Sequence, residues 1–189
     1  MNYKLNSDVF LNFPQLESER LLFWNFKISD AGNLYEMRSN KDVMKYLDRP
    51  FMKSIEEARD MINNMHESFK NHEGINWAII EKETNVFMGY IGFWRMDKEN
   101  CRAEVGYTLL PQFWGQDFMT EALQEVVNFG FNDLNLHSIE ANCNPENIIS
   151  MKLLEKIGFK KEAYFRENYL FENKFLDSII YCLLQKDLQ

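Results

Sequence analysis

The spacing of apolar residues in the first third of the chain predicts one strand followed by helices. Residues 20–26 are apolar and rich in aromatic side chains, which is typical of a strand. The Ser-Asp pair that opens 29–38 is a favourable N-cap and predicts a helix there. A short helical piece is expected over 42–49. A capping box at 54–57 then begins a longer helix, whose apolar residues recur every three or four positions.

Three consecutive apolar runs predict an antiparallel meander in the middle of the chain. The runs cover 75–81, 86–95 and 103–110, and short polar segments connect them. Gly106 interrupts the third run. An isolated glycine inside a strand indicates either a β-bulge or the close approach of another part of the molecule.

The period changes again after Gly115, where apolar residues recur at helical spacing and predict an amphipathic helix. A short strand over 137–142 and a helix over 147–158 follow. Two runs at 160–171 and 175–184 then predict a hairpin. This mixed order predicts an α+β domain and excludes a regularly alternating Rossmann arrangement.

The chain of 189 residues contains no low-complexity linker and no internal repeat, so one domain is expected. We predict an irregular N-terminal leader over 1–16 and a single domain over 17–189. Phe10, Phe13 and Leu16 are the candidate packing anchors of the leader.

The charge balance disfavours binding to nucleic acid. The chain has 29 acidic residues against 21 Lys and Arg, which gives a net charge of -8. Nucleic-acid binders need a basic surface to displace counterions from phosphates. The acidic balance is compatible with a cationic partner, although a solvated acidic surface is the favoured explanation.

The remaining composition predicts a cytoplasmic protein without a metal site. No apolar run approaches the roughly 20 residues of a membrane span, and the N-terminus lacks the charge order of a signal peptide. The three cysteines (Cys101, Cys143 and Cys182) are odd in number and widely spaced, which favours a reduced compartment. The histidines do not stand beside them in a zinc pattern.

Two polar strand-to-helix junctions carry the candidate chemistry. In 109–122 a strand ends, Gly115 follows, and a helix begins whose free backbone N–H groups can bind an anion. In 140–159 a strand leads through asparagines into a helix, with Asn147 and Ser150 on its first turn. Taken alone, the first junction is more often a simple turn, and Asn147 is more often a helix cap.

Together with other short motifs, these junctions resemble the GNAT superfamily of N-acetyltransferases, especially its branch of ribosomal-protein N-terminal acetyltransferases. The resemblance extends over nearly the whole chain from residue 16, and the motifs occur in the family's order. The motifs are Leu16-Glu17-Ser18-Glu19-Arg20-Leu21, Ala103-Glu104-Val105-Gly106-Tyr107, Gln112-x-x-Gly115-x-Asp117, Thr120-Glu121-Ala122, Asn147-x-x-Ser150 and Leu154-Glu155-Lys156-x-Gly158-Phe159.

The resemblance implies a single GNAT-like domain with a mixed, mostly antiparallel seven-stranded sheet, about four helices and splayed central strands. It implies acetyl-CoA as cosubstrate, held between the strands that end near Leu110 and Asn144. It also implies direct acetyl transfer to an amine, without a covalent enzyme intermediate and without a metal.

The cofactor-binding residues follow from the same resemblance. The backbone of 116–120 is expected to hold the pyrophosphate, and the backbone at Leu109 and Leu110 is expected to pair with the pantetheine arm. Asn144 and Asn147 would contact that arm, and Ser150 would lie near the sulfur. The full set is Leu109, Leu110, Gln112, Trp114, Gly115, Gln116, Asp117, Phe118, Met119, Thr120, Asn144, Asn147 and Ser150.

Glu104 and Ser150 are the candidate catalytic residues. An amine is cationic at neutral pH and must lose a proton before it attacks a thioester, so a base is needed. Glu104 is the candidate base, directly or through water, with a solvated strand carboxylate as the equally weighted alternative. Backbone amides of 105–109 are candidate oxyanion donors. Ser150 is expected to give a hydrogen bond to the departing thiolate.

Asp117 departs from the family pattern, which has glycine or alanine at this position. A carboxylate next to a pyrophosphate repels it, by ~1 kcal/mol in a wet site. Either the Asp117 side chain turns away, or CoA binding is weakened, or the chain is a non-catalytic acyl-CoA-binding or protein-interaction module.

The sequence leaves the acceptor open among a protein N-terminus, a polyamine, an amino sugar and a small amine. The partners expected are therefore acetyl-CoA and an amine acceptor, with no nucleic acid and no membrane. The chain is expected to be a monomer or a homodimer, with the C-terminal hairpin as a possible dimer element.

Overall fold

The computed structural model describes residues 4–188 of the chain. Its α-helices are α1 (Ala31–Ser39), α2 (Lys41–Met44), α3 (Ile55–Lys70), α4 (Phe118–Asn132) and α5 (Ile148–Ile157). Its strands are β1 (Leu16–Glu17), β2 (Leu21–Asn25), β3 (Ile75–Glu81), β4 (Phe87–Asp97), β5 (Arg102–Leu109), β6 (Ser138–Cys143), β7 (Lys160–Phe171) and β8 (Lys174–Leu184). Short 3-10 turns lie at Ser7–Phe10, Ile28–Asp30, Pro111–Phe113 and Gln185–Asp187.

These strands form one sheet of eight in the order β1-β2-β3-β4-β5-β6-β8-β7. Neighbours are antiparallel except β5 and β6, which run parallel. The predicted mixed, mostly antiparallel sheet is confirmed, but seven strands was wrong. The additional strand is β1, in which Leu16 pairs with Phe23 of β2. Two residues are too few for an alternating pattern to reveal.

The described residues contain five α-helices rather than about four, because the short piece after residue 40 includes a separate turn of helix, α2. Asn40 caps α2 by accepting hydrogen bonds from the backbone N–H of Asp42 and Val43. The predicted Ser54 cap is also present, since its hydroxyl accepts from Glu57 N–H at 3.2 Å. The Ser54 cap explains why the start of α3 could be read from the sequence. The predicted Ser-Asp cap is not formed, because Ser29 and Asp30 lie in a 3-10 turn and Asp30 precedes α1 without a side-chain cap hydrogen bond.

The helices cover both faces of the sheet. Strand β3 shows the division, because its alternate side chains point in opposite directions. Trp77 and Ile79 pack in the cluster that contains α4 and α5, whereas Ala78 and Ile80 pack in the cluster that contains α1 and α3. All four side chains are buried, so β3 is apolar on both faces.

The N-terminal segment packs against the α4 side of the sheet. Phe10 is buried in the cluster of that side, and Phe13 and Leu16 are partly buried against it. The indole N–H of Trp77 donates to Pro14 O at 2.7 Å. The three predicted anchors therefore contact the core, while the division into 1–16 and 17–189 stays a prediction. Residues 1–3 and 189 lie outside the described residues.

Gly106 does not mark a bulge. The pairing of β4 with β5 runs without a break from Gly89↔Leu109 to Trp94↔Glu104, and the irregularity comes after Trp94. The glycine is needed because the Trp94 indole lies across β5, where a Cβ on residue 106 would come within 2.7 Å of the ring. The second alternative, a close approach, is therefore the correct one, and the approaching group is a side chain.

Candidate functional site

The central feature of the site is a gap between the two parallel strands. Strands β5 and β6 pair only over Arg102–Glu104 and Ser138–Glu140. Beyond Glu104, β5 continues along β4 to Leu109, whereas β6 continues along β8 to Cys143. The facing edges of 105–109 and 141–143 therefore have no strand between them. This is the splayed arrangement that the resemblance implied.

The segment after β5 presents backbone N–H groups at a helix start. We call residues 111–117 the phosphate loop. Gly115 has φ +72° and Asp117 has φ +60°, so the chain turns twice through the left-handed region before α4 begins at Phe118. A Cβ at Gly115 would meet no atom within 4 Å, so conformation rather than crowding favours glycine there. The first N–H groups of α4 lack helical partners and lie at the positive end of its dipole.

The left-handed conformation also explains residue 117. Glycine adopts it without strain, and aspartate is one of the few other residues that tolerate it. The Asp117 carboxylate turns toward α5, where it accepts from Lys156 Nζ at 2.6 Å, and it also accepts from Thr120 Oγ1 at 3.1 Å. The Lys156 hydrogen bond is the main cause that lowers the pKa of Asp117. The carboxylate is thus ion-paired rather than aimed freely at the loop.

A carboxylate in the first turn of α4 ties the phosphate loop to the start of β2. Glu121 accepts three hydrogen bonds of 2.7 Å, from Ser18 Oγ, Arg20 N and Arg20 Nε. Arg20 also donates to Gln116 O at 3.1 Å, and its guanidinium lies 4.2 Å from the centre of the Phe118 ring. The Ser18-Glu19-Arg20 and Thr120-Glu121-Ala122 motifs are therefore two halves of one contact, which the sequence did not reveal.

Burial of the Glu121 carboxyl acts to raise its pKa, but the hydrogen bonds from Arg20 and Ser18 outweigh burial and leave the pKa lowered. The Glu121 side chain is 17% exposed, so this contact is largely removed from water. A charged acceptor with several donors is favourable in such surroundings. These hydrogen bonds therefore hold the start of α4 and the phosphate loop against the start of β2.

Ser150 lies on the α4 side of the sheet beside Tyr107. Its backbone N–H donates to the Asn147 cap at 3.1 Å, and its Oγ lies 2.9 Å from the Tyr107 hydroxyl. Burial raises the pKa of Tyr107 well above its ordinary value, so the phenol stays protonated. The sequence named Tyr107 only as part of a strand motif and did not predict this contact. Strand alternation, which puts residues 105 and 107 on one face, was the available signal.

Cys143 is buried next to this pair. Burial raises the pKa of its thiol, with a hydrogen bond to Ser150 acting in the opposite direction. A thiol with a raised pKa is a poor nucleophile because only the thiolate reacts.

Glu104 lies on the opposite face of β5 from Tyr107, because an odd number of positions, three, separates them along a strand whose side chains alternate. Its side chain is 14% exposed and its Oε2 accepts from Arg95 Nη1 at 3.0 Å. The adjacent Trp94 indole is 37% exposed. The two candidate catalytic side chains thus lie on opposite sides of the sheet, and the gap between β5 and β6 opens directly after Glu104.

The backbone of Leu109 and Leu110 is partly engaged within the protein. Leu109 O accepts from the Trp114 indole at 2.8 Å, Leu110 N donates to Met88 O at 2.8 Å, and Leu110 O accepts from Phe113 N at 3.1 Å. A carbonyl oxygen has two lone pairs and can still accept a second bond. Both carbonyl oxygens can therefore accept a further hydrogen bond, and pairing of these residues with a pantetheine arm stays a prediction.

The side chain of Asn144 connects the end of β6 with the loop after α2. Asn144 Nδ2 donates to Asp48 Oδ2 at 2.9 Å, and its Oδ1 accepts from Glu146 N at 2.9 Å. Tyr169 of β7 donates to the same Asp48 oxygen at 2.5 Å. Asp48 therefore joins the loop after α2, the end of β6 and the hairpin. No sequence motif predicted this junction, because its three members lie far apart along the chain.

The other predicted cofactor residues lie around the phosphate loop. Gln112 O accepts from Gln116 Nε2 at 2.9 Å. Trp114 is 46% exposed, whereas the Phe118 side chain is buried and can offer only its backbone. Met119 packs against the α4 core cluster. Over residues 4–188 there is no group of three or more His, Cys, Asp or Glu placed to hold a metal ion.

Comparison with known proteins places the chain in a family. The model of the acetyltransferase (GNAT) domain matches residues 20–160, which is most of the chain. The protein belongs to the GNAT acetyltransferases. It is therefore an acyltransferase, with acetyl-CoA as its cosubstrate. Across the described range no helix is long and apolar enough to cross a bilayer.

Individual relatives agree with this assignment. The uncharacterized N-acetyltransferase p20 of Bacillus licheniformis is 36% identical over 91% of this chain and 97% of its own. The [ribosomal protein uS5]-alanine N-acetyltransferase of Escherichia coli is 25% identical over 74% of this chain and 78% of its own. The crystal structure of a GNAT-family acetyltransferase from Bacillus anthracis has a TM-score of 0.82 at 29% identity, covering 92% of this chain and 99% of that one.

Proposed function

We propose that the protein transfers an acetyl group from acetyl-CoA directly to the primary amine of a protein N-terminus or a small molecule. The observation that carries this proposal is the gap between β5 and β6, with Glu104 on one face of β5 and the Ser150–Tyr107 pair on the other. An acetyl group held in such a gap is accessible to a base from one side and to a hydrogen-bond donor from the other.

The phosphate loop and α4 would hold the pyrophosphate of acetyl-CoA. The backbone N–H groups over 116–120 surround a helix N-terminus, which favours negative charge. The Arg20–Glu121 contact fixes Gln116 and Phe118 at the start of this cradle. When bound, acetyl-CoA supplies an activated thioester carbonyl and a thiolate leaving group.

Glu104 would remove a proton from the ammonium of the acceptor, directly or through water. A positioned carboxylate base contributes about 10²- to 10⁴-fold to a rate. The Arg95 guanidinium holds the Glu104 carboxylate from its exposed side. A neutral amine can then attack the carbonyl carbon, and backbone N–H groups of 105–109 along the open edge would stabilise the oxyanion.

Ser150 would donate a hydrogen bond to the departing sulfur. The Tyr107 hydroxyl has no titrating role because it stays protonated, so it can donate to Ser150 Oγ. With that oxygen already accepting a bond, the serine hydrogen is free to point toward another acceptor. Tyr107 is thereby a positioning residue for Ser150, acting through the serine.

The acceptor class is open to two kinds of amine. The Escherichia coli relative acts on an alanine of ribosomal protein uS5, which supports a protein N-terminus. The alternative of a non-catalytic module rested on Asp117, and the pairing of that carboxylate with Lys156 removes its main support. The cytoplasmic location stays a prediction, with the three cysteines free and buried.

A thiol-release assay tests the proposal. The purified chain would be incubated with acetyl-CoA and a panel of amines: peptides that begin with alanine or serine, spermidine, glucosamine and amino acids. We expect thiol release that depends on at least one amine and yields its acetylated product. Binding of acetyl-CoA without turnover on every amine would instead support the non-catalytic module.

A further inference from the structure

Arg38 is an unusual arginine in this protein. Four of the others, Arg20, Arg59, Arg95 and Arg102, each form an ion pair with a glutamate. Arg49 and Arg166 are exposed to solvent. Arg38 is half-buried, and it has no carboxylate within 4.0 Å among residues 4–188.

The hydrogen bonds of the Arg38 guanidinium are also incomplete. Its Nε is buried without a partner, the only side-chain N or O atom in this condition within the described part of the chain. Its Nη1 makes one long contact, 3.5 Å from the Tyr90 hydroxyl. A guanidinium has five donors and is always charged, so burial with one weak acceptor is unfavourable unless an anion completes it.

Arg38 lies over the face of the sheet that carries Glu104, the candidate base. Tyr90 pairs with Thr108 across β4 and β5, four residue pairs along from Trp94↔Glu104, and because four is an even number all four side chains share one face of the sheet. Arg38 O accepts from Met52 N at 3.1 Å, which brings the loop over 45–54 across this region. The guanidinium therefore lies over the same face from which Glu104 would receive the acceptor.

We infer that Arg38 binds an anionic oxygen group, a carboxylate or a phosphate, on the amine acceptor. Guanidinium binds both groups through paired hydrogen bonds, and the two Nη atoms of the half-buried Arg38 can form such a pair. This inference rests on the proposed acetyl transfer and narrows its acceptor class. Polyamines would be poor acceptors, because their second charge is positive.

The test compares matched acceptors that differ in the anion. One pair is an amino acid and its carboxamide, a second is O-phosphoethanolamine and ethanolamine, and spermidine is the cationic comparison. Their binding to the CoA complex is measured by calorimetry, and turnover is measured separately by thiol release. We expect the anionic member of at least one pair to bind about tenfold more tightly than its neutral counterpart.

Arg38→Gln removes the charge but keeps a polar side chain. We expect it to reduce the preference for the anionic member to about twofold or less, while the affinity for CoA and the affinity for the neutral acceptor stay within about twofold of wild type. Arg166→Gln, at an exposed arginine of β7, is the matched control and should leave the preference unchanged.

Two results would overturn the assignment. One is equal affinity of the wild-type protein for both members of each pair. The other is an Arg38→Gln protein that loses affinity for CoA but keeps the preference for the anionic acceptor. Discrimination without any acetylated product would leave the anion site standing and would contradict the proposed transfer instead. The pair that shows the preference identifies the anion as a carboxylate or a phosphate.

Discussion

The two sides of the site differ in how they are held together. On the cofactor side, the phosphate loop and the start of α4 are fixed by backbone conformation and by the Glu121 contacts with Ser18 and Arg20. On the side that we propose for the acceptor, Asp48 joins the loop over 45–54 to the end of β6 and to the hairpin. Acetyl-CoA is the same for every acceptor, so its binding site can be a fixed loop. A particular acceptor is instead selected by side chains that come from distant segments of the chain.

The largest expected effect is on the rate of acetyl transfer, and it leaves the binding of acetyl-CoA unchanged. Glu104→Gln should lower kcat by about 100-fold because the general base is lost, while affinity for acetyl-CoA changes little. Steady-state thiol release and calorimetry measure the two quantities. Glu99→Gln, an exposed glutamate in the turn before β5, is the control. A kcat equal to wild type in Glu104→Gln would make Glu104 a structural partner of Arg95.

A second change separates the leaving-group contact from packing. Ser150→Ala and Tyr107→Phe should each lower kcat by about tenfold, with KM for acetyl-CoA nearly unchanged. The double variant should be little worse than Ser150→Ala, because Tyr107 acts through the serine. Additive losses in this double-mutant cycle would contradict the relation between the two hydroxyl groups.

The third change removes the charged hydrogen bonds that hold the phosphate loop against β2. Glu121→Gln should weaken acetyl-CoA binding by about tenfold and lower the free energy of unfolding by about 1–2 kcal/mol, since charged hydrogen bonds are lost. Chemical denaturation and calorimetry measure both effects. Glu125→Gln, on the same helix, is the control. An unchanged affinity would show that the loop holds its shape without this carboxylate.

The same variant has a pH signature. The pKa of Glu121 is lowered in the folded state, so its contribution to stability is present above the ordinary carboxyl pKa and is lost as the pH falls through the folded value. Unfolding measured as a function of pH should therefore show a smaller acid-side loss of stability in Glu121→Gln than in wild type. Parallel curves over the acid range would contradict this.

The smallest expected effect concerns the departure at residue 117. Asp117→Asn keeps a residue that tolerates the left-handed conformation and removes the negative charge. It should tighten acetyl-CoA binding by about two- to threefold, and Asp117→Gly should act in the same direction. Lys156→Met should weaken binding, because the lysine neutralises Asp117. Weaker binding in both Asp117 variants would show that the carboxylate supports the loop instead.

The sequence predicted most of the secondary structure around the phosphate loop because the signals there are local. The apolar runs, the glycine at 115 and the caps at Ser54 and Asn147 are properties of neighbouring residues. They located most of the strands, the loop and the starts of α3 and α5. Strand β1 was not predicted because it is only two residues long. Helix α2 was not counted among the expected helices because it is only four residues long.

Contacts between distant residues could not be predicted in the same way. Glu121 and Arg20 are 101 residues apart, Tyr107 and Ser150 are 43 apart, and Asp48 and Tyr169 are 121 apart. Gly106 shows the same limit on a small scale, since the ring that requires it belongs to the neighbouring strand. Such pairings depend on how the strands are ordered in the sheet, which periodicity does not specify.

Hydrogen exchange in the presence of CoA tests the central claim most directly, namely that the gap between β5 and β6 holds the acyl end of the cosubstrate. CoA should slow exchange of backbone N–H groups in 105–109 and 116–120, with little change in the hairpin tip near residues 170–175. Protection confined to other surfaces, with 105–109 and 116–120 exchanging as in the free protein, would contradict the account.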